Sequence, residues 1–261
     1  MKNFDSMKTP DLLLDSAYIY PLKSGPPLQV FDLQFDHACL RYDRQWMLVG
    51  PEGKFVSQRL QPKLNQLKLR DQGDHFLFFY DQDSLAIPKT FLSPAIQESL
   101  VVNLWQSNFP VSIGPLEYSL WFSEFLGEGV SFVMRPLRPQ DERLKQENKR
   151  IVLGFQDSCP VHIANLDSVD WLEVATGKAF HPLQFRANLY VRTGGPLMED
   201  NLEEFYIGNQ PYRKIKDCSR CSMVNLAPGN TVADTSFLEG LSKFRTLSGS
   251  VRFGIYAFPL S

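Results

Sequence analysis

The sequence predicts a mixed, β-rich (α+β) protein in two parts: a barrel- or sandwich-like β unit over residues 1–135 and a mixed α/β unit over residues 136–261. Short apolar runs alternate with turn residues through about the first 110 positions, the pattern of half-buried strands. The segment Leu116 to Leu126 then changes to helical period. Beyond it a proline-punctuated stretch, Arg135-Pro136-Leu137-Arg138-Pro139-Gln140, separates the first rhythm from the second.

Taken in order, residues 1–15 read as a polar lead-in, followed by a short strand from Ala17 into the turn Pro21-Leu22-Lys23-Ser24-Gly25-Pro26-Pro27. Its prolines and Gly25 forbid helix, so Lys23 and Ser24 occupy a tight loop, either an anion cradle or an ordinary surface turn. Leu28, Val30 and Leu33 mark one strand, Trp46, Leu48 and Val49 a second, and Phe55 with Val56 a third. A hairpin turn at Gly50-Pro51-Glu52-Gly53 joins the last two, with Arg44 ahead of the second strand and Arg59 after the third. His75 to Tyr80 and Glu98 to Trp105 are aromatic and β-branched, as strands are. Leu116, Leu120, Trp121, Phe125 and Leu126 recur at helical spacing, Gly127 and Gly129 end the pattern, and Val130 to Met134 is a strand.

In the second part Ile151 to Leu153 and Pro160 to Ala164 read as strands, and Asp167 or Ser168 caps a short helix. Phe185 to Val191 is a strand whose alternation places Arg186 and Asn188 on one face. Glu204 to Tyr212 forms a hairpin about Gly208 and leads into a turn at Cys218 to Cys221. Thr235 to Phe244 is an amphipathic helix, and Phe253 to Phe258 a final strand.

Composition narrows the function. A net charge of −2 leaves no electrostatic footprint for nucleic acid. The one locally basic segment, Arg135, Arg138, Arg143, Lys145, Lys149 and Arg150, reads as a solvated linker or helix face. No run approaches the ~18 apolar residues of a membrane span, and Met1-Lys2-Asn3-Phe4-Asp5 lacks the apolar stretch of a secretory signal. With 4 cysteines in 261 residues there is no disulfide scaffold, so a cytoplasmic protein with reduced thiols is expected.

Two of those cysteines form Cys218-Ser219-Arg220-Cys221. Three chemistries suit that spacing. With Cys159 and His162 it writes out a Cys3His zinc set, although strand alternation would aim those two at opposite faces. It could be a thiol–disulfide pair in which Arg220 lowers a thiol pKa, but such pairs open a helix and here strands flank it. Third, one cysteine could be a soft thiolate ligand to a metal carried by a cofactor whose charged tail is held elsewhere. Lys23, Ser24, Arg44, Arg59, Arg186 and Asn188 are candidates for that holding.

A series of short motifs favours the third. Tyr20-Pro21-Leu22-Lys23-Ser24, Asp43-Arg44-Gln45-Trp46, Val56-Ser57-Gln58-Arg59 and Met134-Arg135-Pro136-Leu137-Arg138-Pro139 follow one another in the first half. Asp157-Ser158-Cys159-Pro160, Phe185-Arg186-Ala187-Asn188, Cys218-Ser219-Arg220-Cys221 and Phe253-Gly254-Ile255-Tyr256 continue them. In this order the chain resembles the MOSC superfamily in its two-part form, and within it the mitochondrial amidoxime reducing components and their bacterial relatives. The resemblance implies an N-terminal β-barrel domain at 1–135 and a MOSC β-barrel with peripheral helices at 136–261. It implies a molybdenum cofactor (Mo-molybdopterin) ligated by Cys221, with Lys23, Ser24, Arg44, Arg59, Ser158, Arg186, Asn188, Ser219 and Arg220 around the pterin and its phosphate. Cys218 is then a packing residue. The implied activity is reduction of N-hydroxylated or N-oxide-type small molecules with electrons from a separate haem, flavin or iron–sulfur protein. A cofactor or sulfur carrier without turnover is the alternative. Ser222-Met223-Val224-Asn225-Leu226-Ala227-Pro228 departs from the relatives' Thr-x-Val-Asp-Pro, which bears on substrate handling.

Overall fold

The structure is a computed structural model that describes residues 9–90, 99–104, 107–134, 151 and 153–260. The basic segment and the crossover at Arg135 to Gln140 lie outside the described residues, as do Trp105 and Val152. In the first half the strands are β1 (Asp11–Ile19), β2 (Leu28–Val30), β3 (Phe35–Asp36), β4 (Cys39–Leu40), β5 (Trp46–Val49), β6 (Lys68–Asp71), β7 (His75–Tyr80), β8 (Asp83–Pro88), β9 (Ser99–Leu104), β10 (Ser107–Ile113) and β11 (Ser131–Met134), with helix α1 (Leu116–Leu126) before the last. The second half holds β12 (Val161–Asn165), α2 (Leu166–Thr176), β13 (Leu189–Arg192), β14 (Glu204–Ile207), β15 (Gln210–Ser219), α3 (Ser236–Arg245), β16 (Thr246–Leu247) and β17 (Ser250–Pro259).

The main sheet runs β12-β13-β1-β14-β15-β17-β16, and pairing of β12 with β17 closes its first six strands into a barrel. A second sheet, β5-β11-β10-β9, and the meander β6-β7-β8 make up most of the rest. The polar lead-in expected before Ala17 is in fact a strand from Asp11, antiparallel to β13 and parallel to β14. Three successive leucines hide its two-residue period: Leu12 is buried and Leu13 is exposed. The first strand of the chain thus completes the barrel of the second half. A continuous apolar core joins the two, with Ile19, Leu22, Trp46 and Phe132 beside Ile163, Leu189 and Ile255.

Other expectations meet local corrections. Phe55 makes only an isolated bridge to Val49 rather than a strand, and Ile151 and Leu153 are in no strand. Helix α2 is capped by Asn165, two residues before Asp167 and three before Ser168, its side chain accepting from the Asp167 N–H. The strand expected from Phe185 begins at Leu189. Pro182 opens a 3-10 turn there, boxed by His181 and Gln184, and Arg186 ends it in the left-handed region at φ 53°.

Register decides where the site forms. Ala17, Leu189, Ile163, Ile255 and Asp217 pair in one row across β1, β13, β12, β17 and β15. The segments flanking that row are the Tyr20–Ser24 turn, the Arg186–Asn188 bend, His162, Tyr256 and the Ser219–Cys221 exit. None of them is close to all the others in sequence.

Candidate functional site

Those segments line one open pocket. Lys23, Ser24, Arg44, Arg59, Arg186, Asn188, Ser219, Arg220 and Cys221 all line it. Ser158 does not; its hydroxyl points to Cys159 Sγ at 3.5 Å, while its neighbours Asp157 and Cys159 line the wall. Sequence reasoning passed over Ser57, Gln156, Asp157, Met223 and Tyr256, which also line it, beside Phe55, Phe155 and Phe185. For Asp157 the signal lay one residue from Ser158, inside a motif already singled out.

Backbone geometry presents the cations. Lys23 N donates to Trp46 O at 2.7 Å and Arg44 N to Tyr20 O at 2.8 Å, so the first turn and the approach to β5 lie side by side. Ser24, Arg44 and Arg186 are left-handed, at φ 60°, 48° and 53°. Three non-glycine residues in that region, at about 1–3 kcal/mol each, mark a loop cluster shaped by its surroundings. Gly25 lets the first turn close, because a Cβ there would lie 2.7 Å from Leu22 Cβ.

Charge in the pocket is unbalanced. Lys23 Nζ reaches Asp157 Oδ1 at 2.5 Å and Phe155 O at 2.8 Å. Burial works against the Asp157 carboxylate, but Lys23, Arg44 and Arg186 outweigh it and hold its pKa low. Arg44 spends its guanidinium on buried Asp43, at 2.6 and 2.7 Å, and on Arg186 O at 3.1 Å. Arg186 has no carboxylate partner among the described residues. It donates to Gly25 O at 3.0 Å and Gln58 Oε1 at 3.4 Å, and lies 4.4 Å from the Tyr20 ring, which Arg44 approaches to 4.2 Å. Burial, with Arg44 repelling it, lowers the Arg186 pKa to about 10 although Tyr20 and Asp157 favour the charge. Five cations thus share one pocket with one lining carboxylate, an arrangement that attracts an anion.

The cysteine pair is asymmetric. Cys218 is buried; Arg220 Nη1 donates to its Sγ at 3.0 Å and Arg220 Nη2 to Phe185 O at 2.8 Å. Cys221 is the one exposed cysteine of the four, at the start of a 3-10 turn. Among the described residues no three His, Cys, Asp or Glu side chains converge as a metal cluster, so the Cys3His set is not assembled. Contrary to the alternation argument, Cys159 and His162 do line the same pocket, because Cys159 precedes β12 rather than belonging to it. Asn188 braces the wall: its side chain accepts from His162 N at 3.1 Å and donates to Tyr18 O at 3.1 Å. Among the described residues no helix is long and apolar enough to cross a membrane.

Comparison with known proteins places these features. The chain is 28% identical over 283 residues to the molybdenum cofactor sulfurase of Danio rerio, covering 93% of this chain and 31% of that protein. It is 26% identical to the mitochondrial amidoxime reducing component 2 of Bos taurus, covering 93% of this chain and 77% of the relative. It is 27% identical to the mitochondrial amidoxime-reducing component 1 of Homo sapiens, covering 90% and 72%. The chain thus spans about a third of the length of the sulfurases it matches. Residues 12–129 match the MOSC N-terminal beta barrel domain, and residues 151–261 match the MOSC domain. With both of its domains present in order, the chain belongs to the MOSC family.

Proposed function

We propose that the pocket holds a molybdenum cofactor with the Cys221 thiolate as the protein's ligand to the metal. In this reading the protein reduces N-hydroxylated or N-oxide-type small molecules. The observation that carries the proposal is the joining of one exposed thiol, Cys221, to a pocket with five cations and a single lining carboxylate. Three features of the residues fit such a group. A thiolate is a soft ligand suited to a high-valent metal. The surplus of Lys23, Arg44, Arg59, Arg186 and Arg220 suits a phosphate. Ser57 Oγ, His162 Nε2 and Arg220 Nε are buried without hydrogen-bond partners among the described residues, which suits a ligand rich in heteroatoms.

When bound, the cofactor supplies the two-electron redox chemistry. The residues of this chain supply the rest. Lys23, Ser24, Arg44, Arg59, Arg186 and Arg220 bind and orient the anionic end, Asn188 and Ser219 hold the wall, and Ser158 bears on it only through its contact with Cys159 Sγ. Cys218, with Arg220 clamped between it and Phe185, fixes the direction in which Cys221 leaves β15. Overall, an N–O bond breaks, two electrons and two protons are consumed, and water leaves. The electrons come from a separate haem, flavin or iron–sulfur protein. Asp157, half-exposed in the wall and hydrogen-bonded to Lys23, is the carboxylate available to relay protons.

The test is elemental analysis of protein from cofactor-competent cells, with Cys221→Ser beside the wild type, followed by benzamidoxime reduction with a generic electron donor. Near-stoichiometric molybdenum in the wild type, lost from the variant, is expected, together with turnover. Absence of molybdenum from the wild type would refute the proposal. Molybdenum without turnover would instead favour a cofactor or sulfur carrier, a reading that the likeness to cofactor sulfurases supports.

A further inference from the structure

Two polar side chains in the pocket wall are matched above to no particular part of the ligand: Ser57 and His162. Both are more than nine-tenths buried, 1% and 5% exposed. Neither Ser57 Oγ nor His162 Nε2 has a hydrogen-bond partner among the described residues. An unpaired buried polar atom costs about 1–3 kcal/mol, so two of them on one pocket wall call for a group that completes them.

Their chemistry differs from that of the cations around them. A hydroxyl both donates and accepts. Burial, with Arg220 and Arg44 adding to it, outweighs hydrogen bonding to the Phe253 and Arg186 backbone and pushes the His162 pKa well below the ordinary 6.5, leaving a neutral imidazole whose Nε2 is the unpartnered nitrogen. A phosphate is served by donors alone. Groups that donate and accept match the ring nitrogens, amino and carbonyl groups along the edge of an uncharged heterocycle.

Both are held in place by backbone. Ser57 is in a turn whose carbonyl accepts from Leu60 N at 3.0 Å and Gln61 N at 2.8 Å. His162 is the second residue of β12, with its ring 5.4 Å from that of Tyr256. Gly254, at φ +75°, lets β17 run close beneath it: a Cβ there would lie 2.8 Å from His162 Nε2 and 2.5 Å from Ile163 O. The missing side chain at Gly254 is what leaves the ring its place in the pocket wall.

We infer that Ser57 and His162, one from each half of the chain, hydrogen-bond the uncharged heterocyclic part of the bound ligand while the cations hold its anionic end. On the reading above, which this inference rests on, that part is the pterin. Both are positioning residues, set apart from the redox chemistry.

The experiment compares Ser57→Ala and His162→Phe with the conservative Ser57→Thr and His162→Gln, all loaded in cofactor-competent cells. Pterin is followed by fluorescence after oxidative release during repeated buffer exchange, beside molybdenum content and thermal melting of cofactor-free protein. Ser57→Ala and His162→Phe should each lose pterin roughly five- to tenfold faster than wild type, as expected for one lost hydrogen bond. The conservative pair should stay within about twofold. Cofactor-free Ser57→Ala should melt at or above wild type, since it has shed an unpaired buried oxygen; a merely structural serine would lower the melting temperature. Ser57→Ala only removes an atom, so it decides the matter should His162→Phe fail to fold. A loaded wild type whose alanine and phenylalanine variants keep pterin equally long overturns this inference alone. A wild type that carries neither pterin nor molybdenum overturns the reading of the pocket and this inference with it.

Discussion

Removing the charge of Arg186 should leave the cofactor-free protein as stable as wild type or more so, while ending its response to anions. The guanidinium pKa falls well below its ordinary value, to about 10, burial being the largest cause and repulsion by Arg44 a further one. At about 1.4 kcal/mol per pH unit, the folded state carries roughly 3 kcal/mol against this charge. The folded pKa lies below the unfolded one, so the penalty is complete below about pH 10 and is relieved as pH rises above it. At neutral pH it is present in full. Against it stand the contacts with Gly25 O, Gln58 Oε1 and the Tyr20 ring, already reflected in that balance in part. Arg186→Met keeps an apolar stem of similar length and sheds both charge and contacts. Urea unfolding of cofactor-free protein at neutral pH and low salt, with and without inorganic phosphate, reads both effects. The variant should lie within about 1 kcal/mol of wild type or above it, because penalty and lost contacts are of similar size. Phosphate at about ten times its dissociation constant should stabilise wild type by roughly 1.4 kcal/mol and the variant by much less. A variant that loses several kcal/mol without phosphate, beside a wild type that phosphate does not stabilise, would mean that Arg186 is a structural cation and the charge argument fails.

Other perturbations separate framework from site. Cys218→Ala, which empties a fully buried position and strips Arg220 Nη1 of its acceptor, should cost about 1–3 kcal/mol in a denaturation curve. Cys221→Ser, at an exposed position, should stay within about 0.5 kcal/mol of wild type when cofactor-free. Gly254→Ala combines a φ of +75° with an approach of 2.5 Å to Ile163 O, so a loss of at least ~2 kcal/mol is expected, read as a lowered melting temperature and impaired cofactor retention. Glu199 is buried, accepting hydrogen bonds from Ser168 and Asn165, and burial raises its pKa above 4.5 despite them. A carboxyl with a raised folded pKa loses stability as pH climbs from the unfolded value through the folded one. Glu199→Gln should therefore flatten the fall in stability on the alkaline side of pH 4.5, and an unchanged slope would reject this assignment.

Element bounds were legible where the local period is long and clear, although in α1 Leu116 and Leu120 face outward and Tyr118 and Phe122 are buried instead. The helix at Leu116–Leu126 and the strand at His75–Tyr80 appear at the bounds their periodicity gives. The Lys23–Ser24 turn is as tight as its glycine and prolines demand, closed by a hydrogen bond from Gly25 N to Leu22 O at 2.8 Å. Where the reading slipped, a local pattern was outvoted. β1 looked polar because an amphipathic strand with an exposed Leu13 imitates a loop. The Arg186 segment looked like a strand because its residues suit one, yet the Pro182 turn consumes its first half. The Cys159–His162 pair was assigned to opposite faces on the premise that both lie in β12, which begins only at Val161.

Sequence by itself determined the chemistry on offer: a C-x-R-C with a cation inside it, a lysine–serine turn, and dispersed arginines whose order along the chain carries the family resemblance. Residue type sets ligand softness, charge and hydrogen-bonding capacity, and these survive any fold. Only the tertiary structure decided which of them meet. Barrel closure by a strand from the far end of the chain brings Lys23 and Arg44 to Arg186, Arg220 and Cys221, across more than a hundred residues. It also buries Cys218, exposes Cys221, and leaves Ser57 Oγ, His162 Nε2 and Arg220 Nε without hydrogen-bond partners among the described residues. Burial and unmet hydrogen bonds arise from pairing at a distance, and no local pattern encodes them.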